Sequence, residues 1–238
     1  MLEARSIERL LVITAHPDDV DFGAAGTVAT LTDAGVHVTY CVVTDGQAGG
    51  FDLATSRDDI AEIRRAEQTA AAKEVGVSDL VFLGRMDGEV VASLDLRRDI
   101  ARVIREVRPN VVITQSPTIN LDRIPANHPD HRATGEATID AVYPDARNPF
   151  AFPELLAEGH EPWKVDEVWV MGIGDGTDAI DITEQFDRKL AALLAHRSQH
   201  PDPDGLGTRI RAWNEHNASR FRLAAGRVAE AFRVVDTR

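Results

Sequence analysis

Short apolar runs alternate with longer segments of helical period along most of the chain. Residues 10–14 form an unbroken apolar stretch ending on Thr14, the pattern of a strand buried on both faces. A polar turn follows at 16–21. Gly23, Gly26 and an alanine-rich stretch to Leu31 then predict a helix packed close to a sheet and ending at Asp33-Ala34-Gly35. A second β-branched run covers 36–43, and after the loop 44–50 helix formers fill 57–75 up to a stop at Gly76. The pattern then repeats: a strand at 80–83, a helix at 94–107 halted before Pro109, a strand at 111–114, a helix at 132–142 and a strand at 165–171. Two C-terminal helices are expected, at 184–197 and about 207–232.

Strands alternating with helices predict an α/β protein with a Rossmann-like, mostly parallel sheet and helices on both faces, built as a single domain over 1–238. Residues 143–164, rich in proline and aromatics, read as an irregular insertion near the site, either a wall or an oligomer contact. In open parallel sheets ligands sit beyond the carboxyl ends of the strands. The loops leaving Thr14, Val43, Leu83 and Thr114 should therefore converge on one crevice, and they hold nearly every polar residue of chemical interest.

Composition narrows the reading. The net charge is −13 with no basic run to interrupt it, which argues against nucleic acid as a partner. Cys41 is the single cysteine and lies in an apolar run, so an intramolecular disulfide and a cysteine zinc site are excluded. The apolar stretch near the N-terminus is too short to span a membrane and its flanks are wrong for a signal peptide, so the cytoplasm is the expected location.

Two motifs carry chemistry. Ala15-His16-Pro17-Asp18-Asp19 follows the first strand, and its imidazole and a carboxylate three residues on can chelate one ion if the backbone turns at Pro17. The adjacent carboxylates cannot easily point the same way, so one binds metal while the other faces the remaining cavity. Asn127-His128-Pro129-Asp130-His131, in the loop after the strand at 111–114, supplies a third ligand and a spare imidazole beside a carboxylate. Two histidines and one aspartate suit zinc with a position left for water. Such a set also holds iron in oxygenases, but the leftover acid and base favour hydrolysis.

With these motifs the chain resembles the zinc-dependent de-N-acetylases of the PIG-L/LmbE type, which include deacetylases of mycothiol and bacillithiol biosynthesis. The resemblance spans 15–27, the loop 44–49, the helix around 64–76, 128–131 and 190–199 with His196-Arg197-Ser198-Gln199. It implies that His16, Asp19 and His131 bind Zn2+, with Fe2+ a possible substitute in the cell. It further implies Asp18 as general base, His128 as oxyanion stabiliser and acid, Asp130 as the residue orienting His128, and Arg64 as a substrate contact. Val20 and Gln47 stand where members often carry Glu. Asp87, in the loop past Leu83, is a further candidate for sugar hydroxyls, and Arg147 with Asn148 for a site wall. His196 reads as a packing or capping residue.

The expected function is removal of an N-acyl group, most simply acetyl, from a small amino-sugar substrate by an enzyme that hydrolyses linear amides. N-acetylglucosaminyl-inositol, N-acetylglucosaminyl-malate, a thiol conjugate and a secondary-metabolite sugar all fit. No nucleic acid or membrane partner is expected, and the resemblance implies a homo-oligomer. The alternative within enzymes is a metal-dependent esterase or phosphoester hydrolase on the same fold, although ligands for one ion fit phosphoryl transfer poorly. A dinucleotide-binding module is disfavoured because the first turn offers carboxylates, not Gly-x-Gly-x-x-Gly, to a pyrophosphate. A non-catalytic zinc protein would leave Asp18 and His128 without a task.

Overall fold

Alternate residues of the first strand face opposite ways, and both faces are covered. Leu10 and Val12 join one buried cluster with Val38, Tyr40, Ala71, Ala72 and Trp169. Leu11 and Ile13 join another with Cys41, Val43, Ile100, Ile104 and Val168. A sheet dry on both faces is what an unbroken apolar run demands. The computed structural model describes residues 7–121, 124, 127–172, 176–200 and 203–238. The first six residues, part of the N-terminal reading above, lie outside it.

Five strands run parallel: β1 (Arg9–Thr14), β2 (His37–Thr44), β3 (Asp79–Arg85), β4 (Val111–Gln115) and β5 (Glu167–Met171). Two more, β6 (Asp178–Asp181) and β7 (Ala229–Asp236), close one edge with antiparallel pairing, giving the order β3-β2-β1-β4-β5-β7-β6. The helices are α1 (Asp19–Gly23), α2 (Ala25–Asp33), α3 (Arg57–Glu74), α4 (Leu94–Val107), α5 (Pro129–Asp140), α6 (Pro153–Ala157), α7 (Phe186–Ala195) and α8 (Leu206–Arg220). This is the expected α/β architecture. The chain runs outward from β1 through β2 to β3, then returns to β4 on the other side of β1. The reversal opens a crevice between the carboxyl ends of β1 and β4. Both chemical motifs leave from those two strands, and the side chain of Gln115 bridges them by accepting the Ala15 N–H at 2.9 Å.

Two expectations fail. The helix expected to reach Phe232 ends at Arg220; a turn with Arg222 at φ 59° and Gly226 at φ 82° leads instead into β7. Its Ala, Glu and Arg are helix formers, but the edge of β5 offers pairing and burial for Ala229 and Phe232, and tertiary context overrides propensity. The insertion 143–164 is not near the site. Helix α5 starts at the crevice and carries the chain about 18 Å toward the opposite end of the sheet. There Arg105 of α4 donates to the carbonyls of Asp145, Ala146, Asn148 and Ala151, and the Trp163 indole donates to Pro109 O ahead of β4.

Close packing sets where α5 begins. A Cβ on Gly135 would lie 2.3 Å from the carbonyl oxygen of Gln115, at the end of β4. Gly135→Ala is therefore expected to push α5 off the strand and to cost about 1–3 kcal/mol, read as a lower midpoint in thermal denaturation. An unchanged midpoint would show that the helix shifts freely.

Candidate active site

Pro17 and a left-handed residue shape the first loop. Asp18 takes φ 89°, a conformation that costs a non-glycine residue on the order of 1–3 kcal/mol and needs support from its surroundings. That support comes from α3. Gln68 accepts the Asp18 N–H at 2.7 Å, while Arg64, one turn earlier on the same face, donates to Pro17 O at 2.7 Å and Asp18 Oδ2 at 3.1 Å. The turn folds Asp19 back so that its Oδ2 accepts the His16 N–H at 2.7 Å. The second motif is the start of α5, where Pro129 takes the first helical position and His128 Nδ1 accepts the Asp130 N–H at 3.2 Å as a cap.

These loops bring three imidazoles together. Ligand atoms of His16, His128 and His131 lie within 4.8 Å of one another. His16 Nδ1 and His131 Nε2 are 3.1 Å apart, and Asp19 Oδ1 is 3.0 Å from His131 Nε2. On the far side of its ring, His16 Nε2 meets Asp130 Oδ2 at 3.2 Å and Asp87 Oδ1 at 3.1 Å. A carboxylate only accepts, so Nε2–H points outward to Asp130 and Asp87, and Nδ1 is the His16 nitrogen turned toward Asp19 and His131 and free to serve an ion that displaces its proton.

The field at this point is strongly negative. Burial acts to lower the His16 pKa, but hydrogen bonds with Asp130, Asp19 and Asp87 outweigh it and lift the value to about 12. Burial acts to raise Asp19, and the charges of His131 and His16 override it to hold the carboxyl well below its usual range. Asp18 is pushed up to about 7 by burial and by the charge of Asp19, against the pull of Arg64, His196 and His16. His128 is lowered by burial and by its histidine neighbours. The carboxylates of Asp19, Asp87 and Asp130 crowd these buried imidazoles, a field that a divalent cation satisfies, and the donor set of two imidazoles and a carboxylate fits such an ion.

Several expected roles change place. The carboxylate of Asp130 is turned to His16 and accepts the Gly88 N–H at 2.7 Å; only its backbone N–H reaches His128, so it does not hold that ring cationic. Arg64 is 4% exposed, and its guanidinium donates to Pro17 O, Asp18 Oδ2 and the Gly46 carbonyl, so it braces the loop. Asp87 is buried behind His16, where it also accepts the Ala48 N–H at 3.1 Å. Gln47 supports that turn by accepting the Asp87 N–H at 3.2 Å. Arg147 is at the amino ends of the strands, donating to Thr237 O and stacked on Tyr143 with 5.1 Å between guanidinium and ring. Glu67 accepts from Ser198 N–H and Oγ, just past the end of α7. Sequence reasoning passed over Gln68, Asp21, Lys189 and Glu230. An amphipathic reading of α3 would have found Gln68, four residues from Arg64 on one face.

A crevice at the reversal point of a parallel sheet, with a buried His/Asp metal-binding group and a carboxylate beside it, defines a metal-dependent hydrolase. The comparisons narrow that class. The model of the family described as "PIG-L: GlcNAc-PI de-N-acetylase" matches residues 11–142, and the chain belongs to that family. It is 36% identical over 197 residues to a probable N-acetyl-alpha-D-glucosaminyl L-malate deacetylase 2 of Bacillus cereus, covering 80% of this chain and 83% of the relative. It is 32% identical over 196 residues to a diacetylchitobiose deacetylase of Thermococcus kodakarensis, covering 82% of this chain and 72% of the relative. The solved N,N'-diacetylchitobiose deacetylase from Pyrococcus horikoshii superposes with a TM-score of 0.89 at 29% identity, over 97% of this chain and 85% of that one. The protein is an enzyme of the deacetylase class, an amidase acting on N-acyl groups. No described helix is long and apolar enough to cross a membrane.

Proposed function

We propose that the protein removes the acetyl group from an N-acetylglucosamine-containing small molecule, with Zn2+ held by His16 Nδ1, Asp19 and His131 Nε2. The observation that carries this is the inward convergence of those three side chains, with the outer nitrogen of His16 fixed by Asp130 and Asp87. Two nitrogens and an oxygen at this spacing suit zinc, and Fe2+ accepts the same donors. When bound, the ion supplies Lewis acidity that makes water a better nucleophile and polarises the amide carbonyl.

The chain's own residues supply the rest. Asp18 takes the proton that water gives up; its carboxylate is next to the ligand loop but is held by Arg64. His128 accepts at Nδ1, so its ring presents Nε2–H as a donor. Placed 4.7 Å from the His16 ring, that N–H meets the oxygen as it gains charge. Between them, Asp18 and His128 also hold the proton that the departing amine requires.

The test is free-amine release from a panel of N-acetylglucosamine, diacetylchitobiose, an acetate ester and a phosphomonoester, with zinc-loaded protein. Amine release from a sugar amide is expected. Phosphomonoester turnover without amine release would overturn the reading. His128→Ala is expected to keep its zinc while losing about 10²–10³ in kcat, separable by metal analysis and steady-state rates on the same sample.

A further inference from the structure

Behind Asp18 is a chain of three side chains that the proposed chemistry does not use. His196 Nε2 is 2.8 Å from Asp21 Oδ2, the same oxygen accepts Gln68 Nε2–H at 2.9 Å, and Gln68 Oε1 accepts the Asp18 N–H at 2.7 Å. His196, Asp21 and Gln68 are each fully buried. We propose that His196 and Asp21 are positioning residues that act through Gln68 to hold Asp18 in the left-handed turn that aims its carboxylate.

The direction of the Gln68 amide decides whether Asp18 is supported. An amide carries a donor and an acceptor on the two ends of one flat group. Asp21 can only accept, so Gln68 must point its NH₂ at Asp21 and is left with its oxygen toward Asp18. If the Asp21 carboxylate swings away, Gln68 is free to turn over and would set its NH₂ against the Asp18 N–H. Donor against donor removes one support of a strained backbone. Asp21 keeps its place because His196, at the end of α7, fixes the oxygen that faces Gln68.

A simply structural role for His196 is already filled by its neighbours. Ser198 donates to Glu67 from both N–H and Oγ at 2.7 Å, which fastens the end of α7 to α3. Lys189 holds the carbonyls of Asp21 and Phe22 from the same helix. The His196 chain adds one thing to these, a direction for Gln68, and Gln68 passes it to the backbone of the residue that takes the proton.

The inference rests on Asp18 being the base, and the experiment separates the two. His196→Leu and His196→Gln are assayed for kcat and KM on diacetylchitobiose, alone and combined with Asp18→Asn, with zinc content and melting temperature measured on each. His196→Leu is expected to lower kcat about 10–100-fold with KM within about twofold and zinc retained. His196→Gln, whose amide nitrogen reproduces the Nε2 donor, should recover most of that loss. In the Asp18→Asn background His196→Leu should slow the reaction no further, because the two act on one step. Wild-type kcat in His196→Leu, or a full additional loss on top of Asp18→Asn, overturns the positioning role. Wild-type kcat in Asp18→Asn overturns the base assignment itself. If His196→Leu does not fold, Gln68→Met, similar in length and without polar ends, is put through the same comparison.

Discussion

Replacing His131 with alanine is expected to strip the divalent ion from the purified protein and lower turnover on the order of a thousandfold or more. His131 Nε2 is 3.1 Å from His16 Nδ1 and 3.0 Å from Asp19 Oδ1, so it touches both other proposed ligands. Without it, two donors remain, and Asp19 Oδ1 loses its 3.0 Å neighbour. His16→Ala should have the same outcome by another route, since it removes a donor and also leaves Asp130 and Asp87 facing each other across an emptied space. His128→Ala is the control: its ring is in the same cluster, yet its proposed role is toward substrate. Element analysis of the three variants beside wild type checks the assignment. A full ion complement in His131→Ala, with depletion in His128→Ala, would exchange the roles of the two histidines.

The site's residues were legible in the sequence to the extent that local chain fixes them. His16 to Asp19 and His128 to His131 each occupy one turn, directly after a strand, and a sheet reversing between β1 and β4 has one place to bring such turns together. The strands themselves were legible because an apolar run of five residues with no polar face has few alternatives to a doubly covered strand. What the sequence could not carry was the direction of side chains whose partners are remote. Asp130 is two residues from His128 and was read as its partner, but its carboxylate belongs to His16, 114 residues earlier in the chain. The resemblance implies Arg64 as a substrate contact but says nothing of its packing: its guanidinium fills the space beside Gly46 and Gly49, where any Cβ would collide with it. Arg147 is a wall candidate as part of the stretch 143–164, and the length of α5 takes it to the other end of the sheet.

A helix reaching Phe232 gives Glu230 no buried neighbour and Lys189 no partner for its charge. In the folded chain they are the buried pair that anchors the first helices to the sheet edge. A helical period puts a charge on the solvent face by default, whereas a strand inserted between β5 and β6 places Glu230 under α2. Nothing in the local sequence distinguishes those outcomes, because the deciding contact is made with residues near the other end of the chain.

Lys189→Met is accordingly expected to be the most destabilising substitution outside the metal-binding group. Lys189 Nζ donates to Glu230 Oε1 and Phe22 O at 2.6 Å and to Asp21 O at 2.9 Å, with no exposed side-chain surface. Glu230 in turn accepts the Gly26 N–H at 3.0 Å and the Thr27 N–H at 2.7 Å, which caps the start of α2 from a distant strand. Removing the lysine leaves a carboxylate out of water with only those two N–H groups and the helix end to stabilise it, a change worth about 3–5 kcal/mol. For a domain of this size each kcal/mol moves the midpoint by about 2–4 °C, so a fall of roughly 10 °C is expected in calorimetry. The double change Lys189→Met with Glu230→Gln should regain much of the loss, because an amide oxygen still accepts one of the α2 N–H groups and carries no charge to strand. If the double variant were no more stable than Lys189→Met alone, the cost would lie in the orphaned carbonyls of Asp21 and Phe22. The pair's work would then be holding the turn behind Asp18, not neutralising Glu230.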